Sequence, residues 1–184
     1  SKNKIITITG TNGKSTTAKL LSLILNEHKK DSRLCGNIGN PILLEKKITP
    51  KTIFVVEASS YQLAYSKIFK ANYALILNIS PDHLERHITF LNYVKSKFKL
   101  FKNQTNKDYS FLNSQDKYIK KEIRSNKIKS KIISVNSKIF NNYKKKINNQ
   151  YFFTDGNKEN LSFIFAISKI LNLKKNKILK SINN

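Results

Sequence analysis

The run Lys4-Ile5-Ile6-Thr7-Ile8-Thr9, followed at once by Gly10-Thr11-Asn12-Gly13-Lys14-Ser15-Thr16, limits the possible folds more than any other stretch of this chain. The β-branched residues predict a buried strand. Ala18, Leu21, Ile24 and Leu25 recur at helical spacing and predict a helix from about Lys14 to His28. A strand that turns through glycines into a helix is the setting of a phosphate loop. Glycines let backbone amides turn inward, and the helix N-terminus adds partial positive charge. In that setting the segment Gly10, Thr11, Asn12, Gly13, Lys14, Ser15, Thr16 cradles a polyphosphate. Lys14 reaches the β- and γ-phosphates, and the Ser15 hydroxyl can ligate Mg²⁺. The general pattern has a glycine five residues before Gly13, where Ile8 stands. Gly10 must therefore supply the flexibility, in a tighter loop. The competing reading is an ordinary glycine-containing turn.

Apolar runs at 52–57 and 73–79 and strands near 109–112 and 131–135 alternate with helical patterns near 90–102, 115–123, 158–171 and 175–182. That alternation predicts an α/β fold, a mostly parallel sheet flanked by helices on both faces. The Lys/Asn-rich stretch 137–150 reads as a solvated surface loop or short hairpin. A length of 184 residues suits a single domain, 1–184. The chain has no Met, opens on Ser1-Lys2-Asn3 directly before a strand and stops at Ile182-Asn183-Asn184, so it reads as a piece of a longer polypeptide. No apolar run is long enough to span a membrane, and no signal-peptide pattern opens the chain. The single Cys35 fits a reducing compartment, and the cytosol is expected.

The formal charge of +24 invites a nucleic-acid reading. Of the 35 basic residues only Arg33, Arg86 and Arg124 are arginines, leaving 32 lysines. Nucleic-acid surfaces usually recruit arginine for bidentate contacts, and no recognised nucleic-acid motif is present. Lysine-biased composition accounts better for the charge, with weak non-specific polyanion binding under either reading.

Ligands of open parallel sheets gather at the carboxyl ends of the strands. Glu57 closes an apolar run there, and beside a phosphate loop its carboxylate suits Mg²⁺, a hard cation that prefers oxygen. It could instead cap the next helix. The run 73–79 ends at Ser80-Pro81-Asp82-His83. Spacing alone favours a hydrogen-bonding role for His83, because imidazole is an unusual partner for Mg²⁺. His87 and His28 read as structural. In the predicted helix 90–102, Phe90, Tyr93, Val94, Leu100 and Phe101 fall within about 60° of Lys97, while Lys95 and Lys99 lie about 160° away. Lys97 therefore sits in the centre of the apolar stripe. Burial would lower its pKa and leave a nucleophilic amine able to take up CO₂ as a carbamate, or the side chain could snorkel to solvent.

Taken in order, these segments resemble the central ATP-binding domain of the Mur ligases, cytoplasmic enzymes of bacterial peptidoglycan synthesis. The resemblance spans nearly the whole chain. Thr9 to Thr16 resembles the family's ATP loop. Gly36-Asn37-Ile38-Gly39-Asn40-Pro41, Glu57-Ala58-Ser59-Ser60-Tyr61-Gln62-Leu63 and Asn78-Ile79-Ser80-Pro81-Asp82-His83-Leu84-Glu85-Arg86-His87 are similar to the branch that adds D-glutamate.

The resemblance implies ATP and two Mg²⁺ ions as cofactors, with Ser15 and Glu57 on the first ion. It implies His83 and a carbamylated Lys97 on the second, and Lys14, Lys97 and His83 as the catalytic set. Asn37, Ser59 and Gln62 match positions lining the muramoyl-peptide site, and Asn160 matches a position that approaches the nucleotide. The implied substrates are UDP-N-acetylmuramoyl-L-alanine and D-glutamate, acted on by a monomer with no specific nucleic-acid or membrane partner. The family's UDP-binding N-terminal domain and its C-terminal ligase domain are expected to be absent from this stretch. Glu159 stands where the family has His and Phe163 where it has a second Asn, departures on the adenine side. Two other readings remain open: a folylpolyglutamate synthetase-like ligase, and a basic polyanion-binding module with a vestigial nucleotide site.

Overall fold

In a computed structural model that describes residues 3–184, six strands form one all-parallel sheet in the order β2-β3-β1-β4-β5-β6. The strands are β1 (Lys4–Thr9), β2 (Ser32–Gly36), β3 (Ile53–Glu57), β4 (Tyr73–Ile76), β5 (Tyr109–Asn113) and β6 (Lys131–Val135). The helices are α1 (Lys14–Glu27), α2 (Ser60–Tyr65), α3 (Leu84–His87), α4 (Phe90–Phe98), α5 (Lys117–Ser125), α6 (Lys138–Asn141), α7 (Asp155–Ile170) and α8 (Lys175–Asn183).

The pleat sorts the core into two layers. Ile6, Ile8, Leu75, Leu77 and Phe111 point to one face, where α1, α7 and α8 cover them. Ala74, Ile76 and Leu112 point to the other, beneath α2, α4 and α5. In α1 the predicted stripe Ala18, Leu21, Ile24 and Leu25 is fully buried. Leu21, Ile24 and Leu25 each contribute roughly 1.5–3 kcal/mol of transfer free energy, which fixes α1 against the sheet.

β1 pairs with β3 on one side and β4 on the other, with Ile8 level with both Glu57 and Leu75. The chain crosses from one side of β1 to the other between β3 and β4. The crevice at this switch point lies beyond the carboxyl end of β1, where Gly10–Thr16 begins.

Edge strand β2, helix α2 and the short helix α3 have no apolar signature long enough to predict. The segment 137–150 is neither a solvated loop nor a hairpin. It holds α6 and a 3-10 turn at Lys144–Lys146, and its Phe140 and Ile147 are buried in the layer beside α7. Together with half-buried Ile139 and Tyr143, which pack against the same cluster, these anchors seat it among many Lys and Asn. Phe140→Ala is expected to cost about 3–4 kcal/mol in urea unfolding, the range for a buried aromatic. A cost near zero would return the segment to the solvated class.

Candidate nucleotide and metal site

Gly13 adopts φ 81° and is the N-cap of α1, with no side chain capping the helix and no acidic residue in its first turn. A Cβ at Gly13 would stand 2.2 Å from Asn160 Oδ1, so both the left-handed backbone and the close approach of α7 demand glycine. The open helix terminus leaves first-turn amides free to meet an anion. The strand side of the loop is already engaged. Thr11 N donates to Asn78 O (3.0 Å), and Asn12 N donates to Asn78 Oδ1 (2.8 Å). Thr11 Oγ1 bonds Ser80 in both directions and meets Tyr93 OH at 2.9 Å. Thr16 Oγ1 lies 3.4 Å from Tyr151 OH.

Lys14 Nζ donates to Thr11 O at 2.7 Å, folded over the loop. Burial lowers its pKa, with Glu57 and Asp82 pulling the other way. Glu57 is 1% exposed, and both its oxygens are taken: Oε2 by Ser15 Oγ at 2.8 Å and Oε1 by Asn37 Nδ2 at 3.0 Å. Asn37 is brought there because Gly36, at φ 105°, lets β2 run against the Glu57 carbonyl, where a Cβ would stand 2.3 Å away. Asn37 N then bonds that same carbonyl at 2.9 Å. A serine hydroxyl and a carboxylate at the foot of a phosphate loop form an oxygen set suited to Mg²⁺. Asn37, expected on the substrate side, holds that carboxylate in place.

Lys97 is 1% exposed and does not snorkel: Nζ donates to Gly10 O at 2.9 Å and lies 4.5 Å over the Tyr93 ring. Its pKa falls from a lysine's ordinary 10.5 to about 7, through burial first and the Lys14 charge second, against the pull of Asp82. His83 takes a left-handed backbone, φ 52°, and its ring sits between Asp82 (Nε2–Oδ2 3.4 Å) and Glu85 (Nδ1–Oε1 3.7 Å). The His83 ring is 6.4 Å from the Tyr93 ring, so Tyr93 adjoins both His83 and Lys97.

His87 is structural as expected: Nε2 meets Ser60 Oγ at 3.0 Å and the ring stacks on Tyr61. Burial, then the positive neighbours His83, Lys97 and Arg86, lower its pKa. His28 bonds Ile24 O and the Lys174 amide.

Ser59 and Gln62 lie at the start of α2 and cap it reciprocally. Gln62 N donates to Ser59 Oγ, and Ser59 N donates to Gln62 Oε1. This capping box carries its Ser-x-x-Gln signature at 59–62, a signal of α2 that is local in the sequence.

On the α7 side, Asn160 donates to Asn157 Oδ1, while its own buried Oδ1 has no partner. Phe163 is core. Glu159 is hydrogen-bonded by Asn113, but burial outweighs that bond and raises its pKa. Among the described residues no three His, Cys, Asp or Glu side chains form a metal cluster.

A phosphate loop after the central strand of a parallel sheet, with an acid at the end of the neighbouring strand, defines the class of phosphate-loop nucleotide-binding α/β domains. Comparison with known proteins narrows this. The Mur ligase middle domain matches residues 8–174, and the chain belongs to the Mur ligase family. The UDP-N-acetylmuramoylalanine--D-glutamate ligase of Rickettsia felis is 37% identical over 203 aligned positions, covering 100% of this chain and 44% of that protein. The enzyme of the same name from Caldicellulosiruptor bescii is 48% identical over 114 positions, covering 61% of this chain and 25% of its own. The chain thus spans less than half the length of these relatives. The MurF ligase of Thermotoga maritima, solved in complex with ADP, shares the fold at TM-score 0.71 with 13% identity, over 96% of this chain and 48% of its own. No helix among the described residues is long and apolar enough to cross a membrane.

Proposed function

We propose that this chain is the nucleotide-binding core of an ATP-dependent ligase that joins D-glutamate to UDP-N-acetylmuramoyl-L-alanine in the cytoplasm. The observation that carries the proposal is the Ser15–Glu57 pair, 2.8 Å apart at the foot of an uncapped glycine loop. The names of the relatives at 37% and 48% identity supply the substrates.

Bound ATP would supply the phosphoryl group that activates the alanyl carboxylate, and Mg²⁺ would supply charge neutralisation there. The roles of the residues follow from their positions. The first-turn amides of α1 would bind the phosphates. Lys14 would turn from Thr11 O to the β- and γ-phosphates. Ser15 and Glu57 would hold the first Mg²⁺, with Asn37 fixing the carboxylate. Lys97 reaches a pKa at which the neutral amine is populated near pH 7, the state that forms a carbamate. As a carbamate, with His83, it would hold a second Mg²⁺. The unpaired Asn160 Oδ1 and the Glu159–Asn113 pair lie on the side where the nucleoside would be placed. Ser59 and Gln62, at the mouth beside Glu57, would face the muramoyl-peptide and the acyl-phosphate formed on it.

The deciding experiment transplants residues 1–184 into the Rickettsia felis relative in place of its matching segment. D-glutamate addition with ADP release is the expected outcome. A folded, ATP-binding chimera that adds another amino acid, or none, would sink the assignment. The 184-residue chain alone is expected to bind nucleotide weakly and to form no amide bond. Glu57→Gln keeps the shape and, with its amide oxygen toward Asn37 and the Ser15 hydroxyl turned to accept from its NH2, both contacts, while removing the charge. It should leave the unfolding midpoint within a few degrees but lower the Mg²⁺ dependence of ADP binding by roughly tenfold, read by calorimetry with and without the ion.

A further inference from the structure

At the end of the sheet away from the phosphate loop, the last turns of α4 and α5 lead into the amino ends of β5 and β6. Between them lies a groove of about 640 Å³. One wall carries Lys95, Lys99 and Lys102, spaced four and three residues apart and so stacked along one side of α4 and the turn that follows it. The other wall carries Lys121, Lys127 and Lys129. All six are exposed. Of the nine exposed lining residues six are lysine, against 27 of the 71 exposed residues among those described, so the groove is richer in lysine than the surface around it.

None of the six makes an ion pair among the described residues. Lys99 instead donates to Ala64 O. The single acid of the lining, Glu122, is buried and held by Asn126. The floor is apolar, built from Phe98, Phe101 and Ile128 with half-exposed Leu91 at its rim. Cations ranged around a low-dielectric floor focus a positive potential into the groove, and the one carboxylate of the lining, Glu122, is outnumbered six to one.

We propose that this groove docks an acidic protein segment, one that carries carboxylates on either side of an apolar side chain. The carboxylates answer the two lysine walls, and the apolar side chain answers the floor. A flat anionic bilayer meets the rims and leaves the recessed floor unfilled. A polynucleotide finds neither an arginine in the lining nor an exposed ring for its bases, since Phe98 and Phe101 are 7% and 5% exposed. The site is separate from the nucleotide crevice, so it stands or falls independently of the proposed ligase activity.

The test uses the 184-residue chain and a fluorescent peptide alternating Glu with Leu, read by anisotropy at physiological salt. The comparison probes are the same peptide with Ser for Leu, an oligouridylate and phosphatidylglycerol vesicles. Lys95→Glu/Lys99→Glu/Lys102→Glu reverses one wall. Lys144→Glu/Lys145→Glu/Lys146→Glu makes the same change in charge at the exposed turn after α6. The expected result is peptide binding that falls at least roughly tenfold in the first triple variant and less than about twofold in the second, with the Ser peptide weaker than the Leu peptide. Several results would overturn the proposal: no peptide binding, equal losses in both variants, equal binding of the Ser peptide, or groove-dependent binding of the oligonucleotide or vesicles tighter than that of the peptide. The replaced residues are exposed, and thermal unfolding of both variants verifies that the fold is kept.

Discussion

Lys14→Ala is expected to abolish measurable ADP and ATP binding, a loss of at least about a hundredfold, or roughly 2.7 kcal/mol. The ammonium lies 2.7 Å from Thr11 O, directly over the loop, and no other lysine of the crevice has the same reach, because Lys97 is fixed to Gly10 O. Alanine keeps the helix and removes only the charge that would meet the phosphates. The unfolding midpoint should therefore barely move while calorimetric binding disappears. Weak binding of RNA by the lysine-rich surface should be nearly unchanged, which separates the nucleotide site from the charge of the chain as a whole. Nucleotide affinity that survived the substitution would mean that the loop is an ordinary turn.

The second large effect concerns stability. Lys97 titrates near 7 in the folded chain and at 10.5 as an ordinary lysine, so between those values the unfolded state holds more protons and stability rises with pH. From pH 7 to pH 9 this one amine should add about 2 kcal/mol to the unfolding free energy in buffer freed of CO₂. Lys97→Met removes the ionisation while filling the same space. It should raise stability at pH 7 by roughly 3 kcal/mol and abolish that part of the pH slope, measured by urea titration at both pH values. Equal slopes in the parent and the Met variant would mean that the amine is not charged below pH 7 at the cost its burial demands. His87 acts in a lower window. With its folded pKa also depressed, it costs stability as pH falls through its ordinary 6.5, outside the range compared here.

Much of the site is legible in the chain because its signals are local. A β-branched run before Gly10, a helical stripe after Lys14 and an acid closing the run 52–57 each follow from neighbours in sequence, and all three lie where those patterns place them. Lys97 is the most informative case. Its position in the apolar stripe anticipates burial, and the side chain is buried, but no spacing rule could name Gly10, 87 residues away, as the acceptor.

What was not legible depends on contacts between segments distant in the chain. Asn37 on Glu57 and Asn78 on the Thr11–Asn12 backbone both require the sheet order to be known first. Edge strand β2 escaped because Ser32-Arg33-Leu34-Cys35-Gly36 mixes polar and apolar residues, in a strand that pairs on one side only. The 137–150 segment escaped because its four Lys and four Asn outnumber the four apolar side chains that anchor it.

The bonding of Thr11 has a mechanical consequence. Its amide and hydroxyl tie the phosphate loop to residues 78 and 80, just upstream of His83, and to Tyr93, which also touches Lys97. The loop and the two downstream groups thus form a single linkage rather than three independent parts. A displacement of Thr11 would therefore strain the contacts that seat the segment before His83 as well as the ring beside Lys97.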